Sequence, residues 1–369
     1  MGTKKLFLIA SGIVVGTTIG AGIFSLPYVF LKAGWAAGIV HLVVLTILVS
    51  YAHLLYYKVL ERSGEGHGLL GLVRMHLGEM AGRVAFLAVV VGLVLTLSAY
   101  LVLSAQFVVT IIPHFGFWGG VIIFWLLGSI PLVVGLRPFV GAEVVGAVLM
   151  VAIILLAVVL APSVERAVPA LKVQDMFLPF GAVLFALAGW TAVEPVFRWR
   201  RKFPSARFSP VSAMGVGTGV SALLYALFAF GILSSANVVT TDTVSGLTNW
   251  GGGQHILLAL FGLFAVWTSY LPIGLEVKSA LEKDLSWKPW AAVAATVFVP
   301  LLLVVAGLRD FLSLVGVAGG VFLSFQYLFI LAVARKALAL SKTATLLVTF
   351  IMTVFLAAAV YEVYMFVVR

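Results

Sequence analysis

The sequence predicts an all-α integral membrane protein of about eleven transmembrane helices, built as two inverted five-span halves whose first and sixth helices are broken. Three observations carry that expectation. The 369 residues are 63% hydrophobic and only 10% charged, too little polar surface for a water-soluble chain of this length. The basic residues cluster in alternate loops, as they do in chains that cross a bilayer repeatedly. Two of the apolar runs carry glycine, hydroxyl and proline residues near their middles, where a continuous helix has least use for them.

Eleven segments can be drawn, at 6–31, 34–57, 82–112, 117–136, 139–161, 177–198, 212–236, 254–278, 289–307, 311–334 and 343–367. Most approach the roughly 20 apolar residues that a bilayer core requires of a helix. They divide into a first five-span repeat (1–161), a second (177–335) and an additional eleventh span (343–369). Lys4 and Lys5 precede an apolar run too long for a signal peptide, so that run is read as a retained span. With no cysteine in the chain, disulfide chemistry gives no clue to compartment.

Placing the N-terminus in the cytoplasm puts 18 of the 23 Lys and Arg residues in inside loops, among them Arg198, Arg200, Arg201 and Lys202. The positive-inside rule then sets the C-terminus outside. The net charge of +10 therefore follows the membrane and is no nucleic-acid footprint. Short termini and compact loops point to a prokaryotic plasma (inner) membrane. Between the second and third spans, Leu69, Leu70, Leu72, Val73 and Leu77 interleave with Arg74 and His76, predicting a short amphipathic helix on the inner face. The Thr-, Ser-, Asn- and Gly-rich stretch from Asn237 to Gly253 predicts an outer cover.

The first span contains Gly16-Thr17-Thr18-Ile19-Gly20-Ala21-Gly22-Ile23-Phe24-Ser25-Leu26-Pro27-Tyr28. Small residues in this pattern fit two uses. They allow close helix packing, or they break the helix, which membrane depth tolerates only where the backbone is buried in protein or lines a cavity. The sixth span repeats the theme, with Ala188-Gly189-Trp190-Thr191 followed by Glu194-Pro195. Gly135-Leu136-Arg137-Pro138-Phe139 and Gly307-Leu308-Arg309-Asp310-Phe311 match in four of five positions at an offset of 172. That offset lays Gly16-Thr17-Thr18 on Ala188-Gly189-Trp190. The two loops fall on opposite sides of the membrane, which makes the halves inverted copies.

The first-span string resembles the signature of the aromatic and hydroxy amino acid permeases, within the amino acid–polyamine–organocation superfamily. The amino acid/auxin permeases carry a looser version. Two broken helices heading inverted halves also resemble the leucine-transporter-like architecture. The resemblance implies a secondary active transporter that imports amino acids, aromatic or neutral, by alternating access. Half-helix N-termini would then offer N–H groups to the substrate carboxylate, from Thr17, Thr18, Gly20, Ala21 and Gly22. Ala188, Gly189 and Trp190 would face the amine and side chain. Trp190 could stack on substrate or simply pack.

Coupling divides two ways. Thr268 and Ser269, in Trp267-Thr268-Ser269-Tyr270, resemble a hydroxyl pair that sodium-coupled relatives use with first-span carbonyls, here Gly16 and Ile19. The same hydroxyls could instead bond within their own helix. The auxin-type relatives place an asparagine where Gly16 stands, so one side-chain oxygen is missing. Glu194, expected to be buried beside the second break, could carry a proton. Protons are favoured, with a sodium-coupled symporter or a transporter-like sensor as alternatives. Glu143 is placed beside Arg137, and His53 and Glu276 are read as snorkelling toward the cytoplasmic ends. No cofactor, metal site or nucleic-acid partner is expected, and the lack of a nucleophile–base pair or phosphate loop argues against an enzyme. The partners implied are a small amino acid and the lipid bilayer.

Overall fold

The computed structural model describes residues 2–64, 68–135, 168–204 and 207–368, with positions 148, 151, 152, 154, 155 and 164 between them. Most of the expected fifth span, together with Arg137 and Glu143, lies outside the described residues. Every regular element among the described residues is helical. The first span is α1 (Thr3–Thr18) and α2 (Leu26–Ala33), joined by a 3₁₀ turn (Ala21–Ser25) and bent by 53°. There follow α3 (Trp35–Ser63), α4 (Leu69–Leu77), α5 (Glu79–Ile111) and α6 (Gly116–Val134). The sixth span is again in two pieces, α7 (Pro179–Ala186) and α8 (Val193–Lys202), with a 3₁₀ turn (Trp190–Ala192) between them. Then come α9 (Pro210–Leu233), α10 (Gly252–Asp284), α11 (Pro289–Val305) and α12 (Phe311–Gly316). A π-helical stretch (Val317–Leu323) leads into α13 (Ser324–Ala337), and α14 (Lys342–Val368) closes the chain.

Among the described residues, eight helices are long and apolar enough to cross a membrane, and nine if the bent α1–α2 pair is included. α11, with 17 residues, falls just short. α10 has 33 residues, about 50 Å of helix, so its last turns carry Lys278 and Lys283 beyond a hydrocarbon core of about 30 Å. The outer surface is apolar, with Val40, Val43 and Ile47 of α3 and Leu346, Phe350 and Val360 of α14 all exposed. Inside, four of the largest fully buried side chains are tyrosines: Tyr56, Tyr225, Tyr270 and Tyr327. An apolar exterior and polar tips turned toward the core mark a multi-pass membrane protein.

α5 is the pillar, packed against α4, α6, α10, α11 and the π-helical stretch. α1 lies on α9, and α7 on the π-helical stretch, where Gly319 meets the Gly181 carbonyl so closely that a β-carbon would not fit. The amphipathic α4 forms as expected, with Leu69, Leu70, Leu72 and Val73 turned inward and Arg74 reaching Asp284 at the end of α10, 2.5 Å away. The 237–253 segment is tied down. Asp242 accepts from Thr240 and from the Ser245 amide, Val244, Leu247 and Trp250 are buried, and Thr243 donates to the Phe24 carbonyl at 2.5 Å.

The offset of 172 needs correcting inside the spans. α1 ends at Thr18 and α7 at Ala186, 168 residues later, so the half-helices are displaced by one turn from the alignment of the loops. A match in a connecting loop does not fix helical register, because a turn gained or lost between loop and break leaves both intact.

Candidate functional site

Each break ends a helix and leaves its last carbonyls without intrahelical donors. Both ends are met by one side chain: the Tyr225 hydroxyl of α9 lies 2.9 Å from the Thr18 carbonyl and 2.7 Å from the Ala186 carbonyl. A hydroxyl has one hydrogen, so it serves one of the two at a time and holds the breaks side by side. Gly22 makes that closeness possible, since a β-carbon there would stand 2.6 Å from the Ala186 Cα. Gly20 has a similar role, because its β-carbon would come within 2.8 Å of the Tyr100 hydroxyl and 3.1 Å of the Ser269 Oγ. Tyr100, on α5, lies close to the Ala21 backbone and to Ser269. The amides at the start of each 3₁₀ turn have no partner within their own turn.

Between the breaks lies a cavity of about 400 Å³, lined by Gly16, Thr17, Thr18, Gly20, Gly22, Ala188, Trp190, Glu194, Thr268 and Ser269, with Tyr100 and Leu323 also in its wall. That volume falls in the ordinary range of small-molecule sites, about 300–1,000 Å³. The expected residues are thus brought together, except that Ile19, Ala21 and Gly189 are buried behind the wall. Trp190 is fixed rather than free: its indole N–H donates to Gln326 Oε1 at 2.7 Å, and the Gln326 amide donates to the Ala88 carbonyl at 3.1 Å.

The cavity continues into a vestibule of about 1350 Å³ across a shared rim of Trp190, Glu194, Arg198, Lys202, Leu275 and Glu276. This is the basic end of the bundle, with Arg201, Lys278 and Lys283 further out. At the opposite end Phe24 packs edge-on against Phe107 and Phe228, with ring centroids 5.0 and 5.5 Å away, and Thr243 seats the cover on Phe24. The site is open at one end and closed at the other.

Two expectations change. Glu194 is half-buried at the rim rather than enclosed, and accepts a 2.7 Å hydrogen bond from Tyr56. His53 does not snorkel. It is fully buried, with Nε2 3.1 Å from the Tyr327 hydroxyl. The α10 hydroxyls keep their hydrogens on their own helix: Thr268 and Ser269 both donate to the Ala265 carbonyl, at 2.8 and 3.2 Å, and Ser269 stands 3.5 Å from the Ile19 carbonyl. Their lone pairs stay available, so the geometry fits either use. Among the described residues no group of His, Asp and Glu side chains could hold a metal. Tyr100, Tyr225 and Gln326 were missed by sequence reasoning. The one available signal was a lone polar side chain inside an otherwise apolar run.

Two broken helices meeting over a central cavity define the leucine-transporter fold, and solved structures bear this out. MhsT in complex with L-phenylalanine is similar with a TM-score of 0.65 at 15% identity, covering 97% of this chain and 98% of that one. A manganese transporter of Eremococcus coleocola, in complex with an aromatic bis-isothiourea substituted compound, gives 0.66 at 13% identity over 97% and 87%. The chain belongs to the tryptophan/tyrosine permease family, which matches residues 3–188, just over half of its length. Amino acid transporter AVT3A of Arabidopsis thaliana is 26% identical over an alignment of 385 residues, covering 94% of this chain and 87% of its own. The protein is a permease and not an enzyme.

Proposed function

We propose that the chain imports amino acids, aromatic or neutral, by alternating access and in symport with protons. The observation that carries this reading is the cavity between the two breaks, whose wall brings together, as hydrogen-bond donors, backbone of both turns (Gly20, Gly22 and Trp190) and the Tyr100 hydroxyl. Those donors suit a carboxylate, and the break carbonyls suit an ammonium. Membership in a tryptophan/tyrosine permease family and the likeness to a phenylalanine complex favour a large side chain lying toward Trp190. The distribution of basic residues supports a cytoplasmic N-terminus and an external C-terminus, in what we take to be the plasma membrane. The open vestibule then faces the cytoplasm, an inward-open state with Phe24, Phe107 and Phe228 closing the outer path.

Proton coupling needs a titratable group on the path, whereas sodium needs only oxygens. Glu194, at the rim with Tyr56, supplies such a group where cavity and vestibule meet. In proteoliposomes, an inward proton gradient is expected to drive accumulation of aromatic amino acids with sodium absent, and Glu194→Gln to lose most of that accumulation. The proximity of Ser269 to the Ile19 carbonyl keeps sodium as the second reading. Uptake that requires sodium, survives Glu194→Gln and fails in Thr268→Ala would replace the first reading by the second.

A further inference from the structure

His53 lies deeper than Glu194, against the second break. Its Nε2 is 3.1 Å from the Tyr327 hydroxyl, and the Gly189 backbone lies close to the same tyrosine oxygen. A β-carbon on Gly189 would stand 3.3 Å from the His53 ring and 2.6 Å from the Thr18 Oγ1, so imidazole, second break and end of the first break meet at one point. The Thr18 hydroxyl is buried there with no hydrogen-bond partner. Tyr327 is stacked on Phe355 of α14, with ring centroids 5.3 Å apart.

Among the described residues no charged side chain is hydrogen-bonded to the ring. Of the helices packed on α3, α13 contributes Tyr327 and α9 contributes Tyr225, whose hydroxyl is engaged by the Thr18 and Ala186 carbonyls. α7 carries no titratable side chain. α2 carries Tyr28 and Lys32, which lie against each other. α8 brings Glu194, held by Tyr56, then Arg198, with Arg200, Arg201 and Lys202 in its last turn, and the last turn of α13 adds Arg335 and Lys336. Tyr56 follows His53 by three positions on α3, a spacing that puts both on one face of the helix.

We propose that His53, with Tyr327, holds the coupled proton at the helix breaks, and that Glu194 and Tyr56 form its station at the vestibule rim. The inference rests on the proton-coupled reading above. In the inward-open state the imidazole is neutral and Nε2 accepts from Tyr327. A proton arriving at Nε2 reverses that hydrogen bond, so His53 donates and Tyr327 accepts. An imidazolium in this apolar core requires an anion, and a substrate carboxylate held by the break amides supplies one. Proton and substrate then raise each other's affinity by the same factor.

The test is the pH dependence of affinity for L-tryptophan, L-tyrosine and L-phenylalanine, measured on the purified full-length chain. Wild-type affinity is expected to fall about tenfold per pH unit above a midpoint, the slope of one linked proton. His53→Gln is expected to bind with an affinity that no longer changes with pH. Tyr327→Phe, which keeps the stack on Phe355, is expected to displace the midpoint, and serves as the deciding variant should His53→Gln not fold. An unchanged slope in His53→Gln, or an unchanged midpoint in Tyr327→Phe, overturns the role of His53 and leaves proton coupling standing. Wild-type affinity and uptake that ignore pH but follow sodium overturn the coupling reading itself, and this inference with it.

Discussion

Gly22→Val is expected to abolish amino acid binding in a chain that still inserts into the membrane. The added β-carbon would lie 2.6 Å from the Ala186 Cα and 2.9 Å from its amide nitrogen. Both are backbone atoms at the end of a half-helix, and neither can swing aside as a flexible side chain could. Overpacking of this kind costs about 1–3 kcal/mol and sometimes more, and here it is relieved by parting the two breaks. Tyr225 then loses one of its carbonyls, and the two walls of the cavity move apart. A loss of about 2.7 kcal/mol in binding corresponds to roughly 100-fold in affinity. The measurement is the rise in melting midpoint that substrate gives the purified protein: wild type shows it and Gly22→Val does not. Gly215→Ala, where the new β-carbon meets nothing within 4 Å, should retain the full shift. A normal shift in Gly22→Val would show that the breaks need not touch.

The second large effect is expected at Gln326, which is wholly buried. It links three helices, accepting from Trp190 in the second break and donating to Ala88 on α5. Gly92 leaves room for it, since a β-carbon there would come within 2.8 Å of its amide nitrogen. Gln326→Leu strands the Trp190 indole N–H in the core, and an unsatisfied buried donor costs about 1–3 kcal/mol. The variant should melt at a lower temperature and bind substrate more weakly, because Trp190 is free to leave the cavity wall. Pairing it with Trp190→Phe should restore part of the stability but not the affinity, since removal of both partners leaves nothing unsatisfied. A single variant as stable as wild type would mean that the hydrogen bond contributes little.

How much of this was legible in the sequence depended on whether the signal was local. The breaks were legible, because Gly20, Gly22 and Pro27 in one span and Gly189 and Pro195 in the other are costly in a continuous helix. The packing and broken-helix uses of the first-span glycines proved compatible: Gly22 packs on Ala186 and lines the cavity. His53 was misplaced for a simple reason. The second span was ended at residue 57, but α3 continues to Ser63, and six residues are about 9 Å of helix, enough to turn an end position into a buried one. Tyr225 and Gln326 were not legible, since their partners lie 207 and 136 residues away in the chain and no local pattern records them. Thr268 and Ser269 were found, but their hydroxyl hydrogens went to Ala265, a bond that local sequence permits without requiring.

The central claim is that the two breaks form one amino acid site. The chain has no cysteine, so a single introduced thiol reports one position without background. Thr17 and Ala188 are both partly accessible, on opposite breaks of the same cavity. The measurement is the rate at which a water-soluble thiol reagent modifies Thr17→Cys and Ala188→Cys, each alone, with and without L-tryptophan, L-tyrosine or L-phenylalanine. If the account is right, one amino acid slows modification at both positions with the same half-maximal concentration. Protection at one break only, or at neither with any amino acid tried, would contradict it.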